Sequence, residues 1–202
     1  MSSFDFIYLA SQSPRRRQLL EQLGVVHELL LAGPDEDAEA LEAVIDGESP
    51  EAYCARVTQL KLDAALARLD ARGLPPAPVL CSDTTVALGD QILGKPADAA
   101  DALATLKLLS GQRHRVITAV AVGSADRRAS ALNISEVEFD TVSDAELKRY
   151  VDGGEPFGKA GSYAIQSHAA AWIRHISGSY SGIMGLPLYE TAQLLQQWGV
   201  KF

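Results

Sequence analysis

A mixed α/β fold, with a twisted sheet flanked by helices, follows from three features of the sequence. Short apolar segments rich in branched and aromatic residues interleave with helical patterns, the ordering of an α/β domain. Two of those segments, residues 114–123 and 129–142, are separated only by a short polar turn, so they pair as a hairpin that a purely parallel sheet would not contain. Helix starts are marked by Ser-Pro pairs and a capping box. At 202 residues and 47% hydrophobic composition, the chain is sized for one domain over residues 1–202.

The elements follow in order. Residues 4–10 form a buried first strand. Ser13 caps a helix with Pro14 at its first position, running to Leu23 and ended by Gly24. Residues 25–31 are a second strand, and Pro34-Asp35-Glu36-Asp37 is an acidic loop. Ser49-Pro50 opens a long Ala/Leu helix that ends near Gly73, and the proline-rich run 74–78 is a stiff connector. Residues 79–88 form a strand, closed by a turn at Gly89-Asp90; residues 98–109 form a helix, closed by Gly111. After the hairpin, the capping box of Ser143 and Glu146 starts a helix that reaches Val151. Residues 162–166 and 170–176 read as short strands, 178–185 as a glycine-rich loop, and Leu186-Pro187 opens a final helix ending near Trp198.

Composition excludes several classes. A formal net charge of −8 argues against a general nucleic-acid binder, which needs a broad basic surface. No apolar run is long enough to span a bilayer, and the first residues lack a basic signal-peptide region, so a cytoplasmic protein is expected. Cys54 and Cys81 form no CxxC pair and read as reduced, buried thiols. His27, His114, His168 and His175 show no zinc-ligand spacing, and no GxSxG elbow is present.

Charge placement is more informative. Ser11-Gln12-Ser13-Pro14-Arg15-Arg16-Arg17 puts three arginines in the first turn of a helix, where the macrodipole disfavours cations unless an anion faces them. Free N–H groups, hydroxyls and guanidinium forks suit phosphate; a solvated basic face is the plain alternative. Asp83, in Ser82-Asp83-Thr84, lies inside an apolar strand, where a carboxylate is paired, metal-bound or functional. Lys61, Lys95 and Lys159 stand at a mid-helix, a strand end and a glycine-flanked loop, although Lys61 could equally snorkel. Glu36 and Asp83 offer the oxygen ligands that a hard divalent cation prefers. Gly178-Ser179-Tyr180-Ser181-Gly182 could form a phosphate-cradling nest.

Six ordered motifs then resemble the Maf family, the septum-formation-inhibitor-like nucleoside triphosphate pyrophosphatases. They are Ser11-x-Ser13-Pro14-Arg15-Arg16, Ser82-Asp83-Thr84, Gly94-Lys95-Pro96, Ser110-Gly111-x-x-His114-x-Val116-x-Thr118, Gly153-Gly154-Glu155-Pro156 with Lys159-Ala160-Gly161, and Gly185-Leu186-Pro187-Leu188. The resemblance covers essentially the whole chain. It implies an elongated, two-lobed α/β fold related to inosine-triphosphate pyrophosphatases, with the nucleotide in a central cleft, and a homodimer. The implied reaction is metal-assisted attack of water on the α-phosphorus of a triphosphate, releasing pyrophosphate, with Mg2+ or Mn2+ as cofactor. Asp83 falls at the catalytic position. Ser13, Arg16, Glu36, Lys61, Lys95 and Lys159 fall on or near phosphate- or metal-binding positions, with Asp35 and Asp37 as rivals to Glu36 for the metal.

Arg15, Thr84 and Gln166 resemble the set of the dTTP/UTP branch, and the Gln166 amide can pair with a pyrimidine edge. The branch that prefers 7-methyl-GTP tends to carry Trp, Gln and Glu there. The chain departs from the family pattern at Leu62, at Gly158, where Asp is usual, and at Ser167-His168-Ala169, where Gly-x-Gly is usual. Alternatives left open are action on 7-methyl-GTP or inosine triphosphate, and a nucleotide-binding cell-division regulator with little turnover.

Overall fold

The computed structural model describes residues 3–34, 36 and 40–202; the rival acids Asp35 and Asp37 lie outside the described residues. One seven-stranded mixed sheet organises them, in the order β2-β1-β3-β5-β6-β7, with β4 also pairing with β3. The strands are β1 (Ile7–Leu9), β2 (His27–Leu29), β3 (Val79–Leu88), β4 (Gln91–Leu93), β5 (Arg113–Gly123), β6 (Arg128–Phe139) and β7 (Ile173–Ser177). β1 is parallel to β2 and β3, whereas β3–β4, β3–β5, β5–β6 and β6–β7 are antiparallel.

β3 decides where a site can form. One edge pairs with β5 from Val79 to Ala87. The other edge is paired by β1 only at Val79 and Leu80, and by β4 only from Val86 to Leu88. Residues 81–85 therefore face a gap in the sheet, and Asp83 sits at its middle.

The helices are α1 (Pro14–Gln22), α2 (Pro50–Ala71), α3 (Ala99–Leu109), α4 (Asp144–Asp152), α5 (Tyr180–Met184) and α6 (Leu188–Gln197). Their starts obey the caps read from sequence: Ser13, Ser49 and Ser143 each accept from the backbone N–H three residues on. α2 lies on one sheet face, where Leu62 and Ala65 pack with Tyr8, Val79, Cys81 and Ala121. α1 and α6 cover the other face through Leu19, Leu20, Leu194, Leu195 and Trp198. A third cluster joins α3, α4 and the far ends of β3, β5 and β6 around Leu106, Phe139, Leu147 and Trp172. Cys54 and Cys81 are free and buried, as expected, and burial pushes both thiols up to about 12.

Several sequence expectations are corrected. β1 and β2 are only three residues long, because only that much of each apolar run finds a ladder partner. β4, which the sequence marks only by a strand end near Lys95, is created by hairpin pairing after Gly89, whose φ of +57° closes the turn. Residues 162–166 join no strand: a 3₁₀ turn at Ala160–Ser162 leads into buried, unladdered chain that lines a cleft. Residues 170–176 divide into a 3₁₀ turn, His168–Trp172, and β7. The glycine-rich stretch 178–185 contains α5, which Ser179 caps and Gly185 ends at φ +118°. Its glycines serve close packing on β6, since a Cβ on Gly182 would stand 2.8 Å from Asn133 Oδ1 and one on Gly178 2.6 Å from Ser135 Oγ.

His114 is 2% exposed, 2.8 Å from the Tyr163 hydroxyl, and set edge-on to Phe139. Burial lowers its pKa to about 4. The unfolded chain, with histidine near its ordinary 6.5, takes up that proton first as pH falls. The stability contributed by the neutral ring is full above about pH 6.5 and lost as pH approaches 4. Urea unfolding is expected to show a loss on the order of 3 kcal/mol over that window from this residue. His114→Gln should flatten the slope relative to wild type.

Candidate active site

The gap beside β3 opens into a cleft of about 740 Å³, a volume suited to a nucleotide-sized ligand. Ten of the residues singled out from sequence line it, Ser13, Arg15, Arg16, Glu36, Lys61, Asp83, Thr84, Lys95, Lys159 and Gln166, whereas Arg17 does not. Strand alternation sends Asp83 toward α2 and Ser82 and Thr84 toward α1 and α5. Arg16 and Asp83 thus approach from opposite sheet faces and meet across the gap.

Arg16 is held by neutral oxygens. Its Nε donates to Gly185 O at 2.8 Å, Nη1 to Ser11 Oγ at 3.3 Å and Nη2 to Thr84 Oγ1 at 3.3 Å. Thr118 Oγ1 donates in turn to Thr84 Oγ1 at 3.1 Å, so Thr84 orients Arg16. Burial pulls the guanidinium below its ordinary pKa, opposed by attraction to Asp83; it remains charged. Ser13 faces the cleft but spends its hydroxyl on the helix cap, accepting from Arg16 N at 3.5 Å.

Lys61 crosses from α2 to β3. Its Nζ donates to Asp83 Oδ1 at 2.6 Å and to Glu42 Oε1 at 2.8 Å. Burial works to lower the Lys61 pKa, but Asp83 and Glu42 outweigh it and hold the ammonium above its usual value. Lys95, in the segment after β4, donates to Glu42 Oε2 at 2.8 Å. Cys54 Sγ donates to the carbonyls of Asp83 and Ile117, at 3.5 and 3.4 Å, fixing the strand backbone beneath the carboxylate.

Lys159 donates to Glu155 O, and its pKa is lowered by burial and by nearby Arg15. Gly161 N donates to Gly94 O at 3.1 Å, which joins the Lys159 and Lys95 segments. Gln166 lies exposed at the cleft rim. Glu36 accepts from Arg68 Nη2 at 2.6 Å and from Gly33 N at 2.9 Å; the Arg68 hydrogen bonds hold its carboxyl down to about 2. The stretch 178–182, read as a phosphate nest, does not line the cleft: its Ser179 N donates to Ser135 Oγ and its Gly182 N to Ser179 Oγ, and only Ile183 to Gly185 beyond it reach the cleft.

Glu42 and Arg68 were not foreseen. Glu42 lies in a 3₁₀ turn, Ala40–Glu42, whose stretch carries no periodicity, and Arg68 is one polar residue on a long helix. Neither leaves a local signal; both are recruited by tertiary approach.

The electrostatics divide the cleft. Lys61 and Lys95 have carboxylate partners. No carboxylate stands within ion-pair distance of Arg15, Arg16 or Lys159 among the described residues. Uncompensated cations in a partly buried cleft form a site for an anion.

The family model described as Maf-like protein matches residues 6–198. The chain belongs to the Maf-like protein family. It is 66% identical over 197 residues to the dTTP/UTP pyrophosphatase of Albidiferax ferrireducens, covering 98% of each chain, and 63% identical over 201 residues to that of a Polaromonas species, covering all of both. Among solved structures, the Ham1 protein of Staphylococcus aureus matches 66% of this chain and 71% of its own at 15% identity, with a TM-score of 0.42. No helix among the described residues of this Maf-like chain is long and apolar enough to cross a membrane.

The loop carrying Lys159 is seated by Gly161, at φ +68°, against Val86 of β3; an added Cβ would meet the Val86 side chain at 2.8–2.9 Å. Gly161→Ala is expected to destabilise the fold by about 1–3 kcal/mol through backbone strain and overpacking. Differential scanning fluorimetry should then show a Tm lower by several degrees, roughly 2–4 °C per kcal/mol at this chain length.

Proposed function

We propose that this chain hydrolyses nucleoside triphosphates, dTTP and UTP foremost, to the monophosphate and pyrophosphate. The observation that carries the reading is the meeting of Arg16, Lys61 and Asp83 across the β3 gap in one cleft, within a chain of net charge −8. The names of its relatives support the substrate class.

In this reading Arg15, Arg16 and Lys159 take the phosphate oxygens, each supplying positive charge not already neutralised by a carboxylate. Lys95 and Lys61 draw in the remaining negative charge. Asp83, held by Lys61 on Oδ1 and by the Thr85 hydroxyl on Oδ2 at 3.4 Å, orients a water for in-line attack on the α-phosphorus and accepts its proton. The P–O bond to the pyrophosphate breaks, and the leaving charge spreads over the cationic rim. Gln166, at the cleft rim, reads the base edge, and with Arg15 and Thr84 it completes the set that resembles the dTTP/UTP branch; Thr84 also holds Arg16.

The donor chemistry fits a divalent cation. Asp83, Glu36 and Glu42 bring carboxylate oxygens to one cleft, while no cluster of three or more ligating side chains is found among the described residues. Mg2+ or Mn2+ prefers such oxygen ligands, and binding it would mean displacing the Lys61 and Arg68 contacts now on Asp83 and Glu36. Asp83 and Glu36 would hold it, and it would supply charge neutralisation at the phosphates. Homodimer assembly rests on the family resemblance.

Purified chain with Mg2+ or Mn2+ is to be offered dTTP, UTP, CTP, 7-methyl-GTP and inosine triphosphate, with pyrophosphate release as readout. dTTP and UTP are expected to give the highest kcat/KM. Asp83→Asn should lower kcat by about a hundredfold or more, the usual worth of a general base. A panel with no pyrophosphate released from any nucleotide would refute the enzyme reading and favour a binding regulator. Near-full activity in Asp83→Asn would remove Asp83 from the base role.

A further inference from the structure

Glu42 stands where the substrate's charge is needed. One oxygen of its carboxylate accepts from Lys61 Nζ and the other from Lys95 Nζ, each at 2.8 Å. The lysines come from different elements, α2 and the segment after β4, and converge on this single acid. A carboxylate that bridges two ammonium groups in this way presents the same charge and the same pair of acceptors as two oxygens of a phosphoryl group.

We propose that Glu42 is an internal competitor for the nucleotide, latching the Lys61–Lys95 pair until a triphosphate displaces it. The proposal rests on the reading of the cleft as a triphosphate site.

The surroundings of Glu42 favour displacement of its side chain alone. The backbone is pinned to α2: Tyr53 OH donates to Glu42 O at 2.9 Å, and Arg56 Nη2 donates to Ala43 O at 2.9 Å while holding Glu48. The side chain is 26% exposed, so a rotamer change carries its carboxylate to solvent without unwinding the turn. Asp83, the other acid on Lys61, is buried in a central strand and has no such exit. Partial burial works to raise the Glu42 carboxyl, but the hydrogen bonds from Lys61 and Lys95 outweigh it and keep it below the usual carboxylate range, so the competitor is charged at neutral pH.

The cleft then has an open half, Arg15, Arg16 and Lys159, and a latched half, Lys61 and Lys95. A ligand with one phosphate is satisfied in the open half. A polyphosphate long enough to reach both halves gains the latched lysines only by expelling Glu42. Glu42 would accordingly set selectivity for chain length, and its return to the lysines would help release pyrophosphate.

The test is calorimetric titration of the full chain with inorganic tripolyphosphate in EDTA, comparing wild type with Glu42→Gln and Glu42→Ala. Both variants are expected to bind at least threefold tighter, a direction opposite to that of a merely structural lesion. The gain should vanish when Lys95→Met is added to Glu42→Gln, because one of the released cations is then missing. Unchanged or weaker binding by both variants, against measurable wild-type binding, overturns the latch and leaves the triphosphate site standing. A wild type that binds neither tripolyphosphate nor dTTP overturns both.

Discussion

The break in hydrogen bonding along β3 is the constraint on which the site depends. A ten-residue central strand paired on both edges throughout would bury Asp83 in a closed sheet, where a carboxylate is costly. Here β1 ends after Leu9 and β4 reaches back only as far as Val86, so residues 81–85 keep one edge toward the cleft. Continuous pairing with β5 on the other edge keeps this stretch straight and rigid. The acid is thereby placed on a stiff element while lining the cleft.

The gap also joins the two faces of the sheet. Arg16 comes from a helix on one face and Lys61 from a helix on the other, and without an opening they would be separated by the strand layer. Their partners differ accordingly. Arg16 is supported by carbonyl and hydroxyl oxygens, which orient it without cancelling its charge. Lys61 is neutralised on two sides, by Asp83 and Glu42. A chain that is acidic overall can thus present a local anion site, because position, not net charge, sets the field inside a cleft.

The fold was legible where local chemistry is decisive. Serine caps, Pro at the first helical turn and glycines after the last turn marked α1, α2 and α4, because helix ends must satisfy their own backbone groups. The long β3 and the β5–β6 hairpin were legible because their apolar runs are long and bounded by turns. β4 and α5 were not: three residues carry too little pattern for a strand, and glycines needed for close approach to Ser135 and Asn133 imitate a loop. Residues 162–166 look strand-like in composition, yet no partner edge reaches them, and they serve as cleft wall.

For the site, sequence by itself determined the cast: cations at a helix start, an acid in an apolar strand, a lysine mid-helix, and ordered motifs that resemble one family. These are visible because each violates a local preference and so signals a partner. The tertiary structure alone decided which groups meet. It set Glu42 on both lysines, placed Arg68 on Glu36, turned Thr84 into a support for Arg16 and withdrew the α5 hydroxyls from the cleft. The side-chain pairings onto Lys61, Lys95, Arg68 and Arg16 join residues 19 to 68 positions apart, and proximity of that kind is a property of the packed chain, with no trace in the residues on either side.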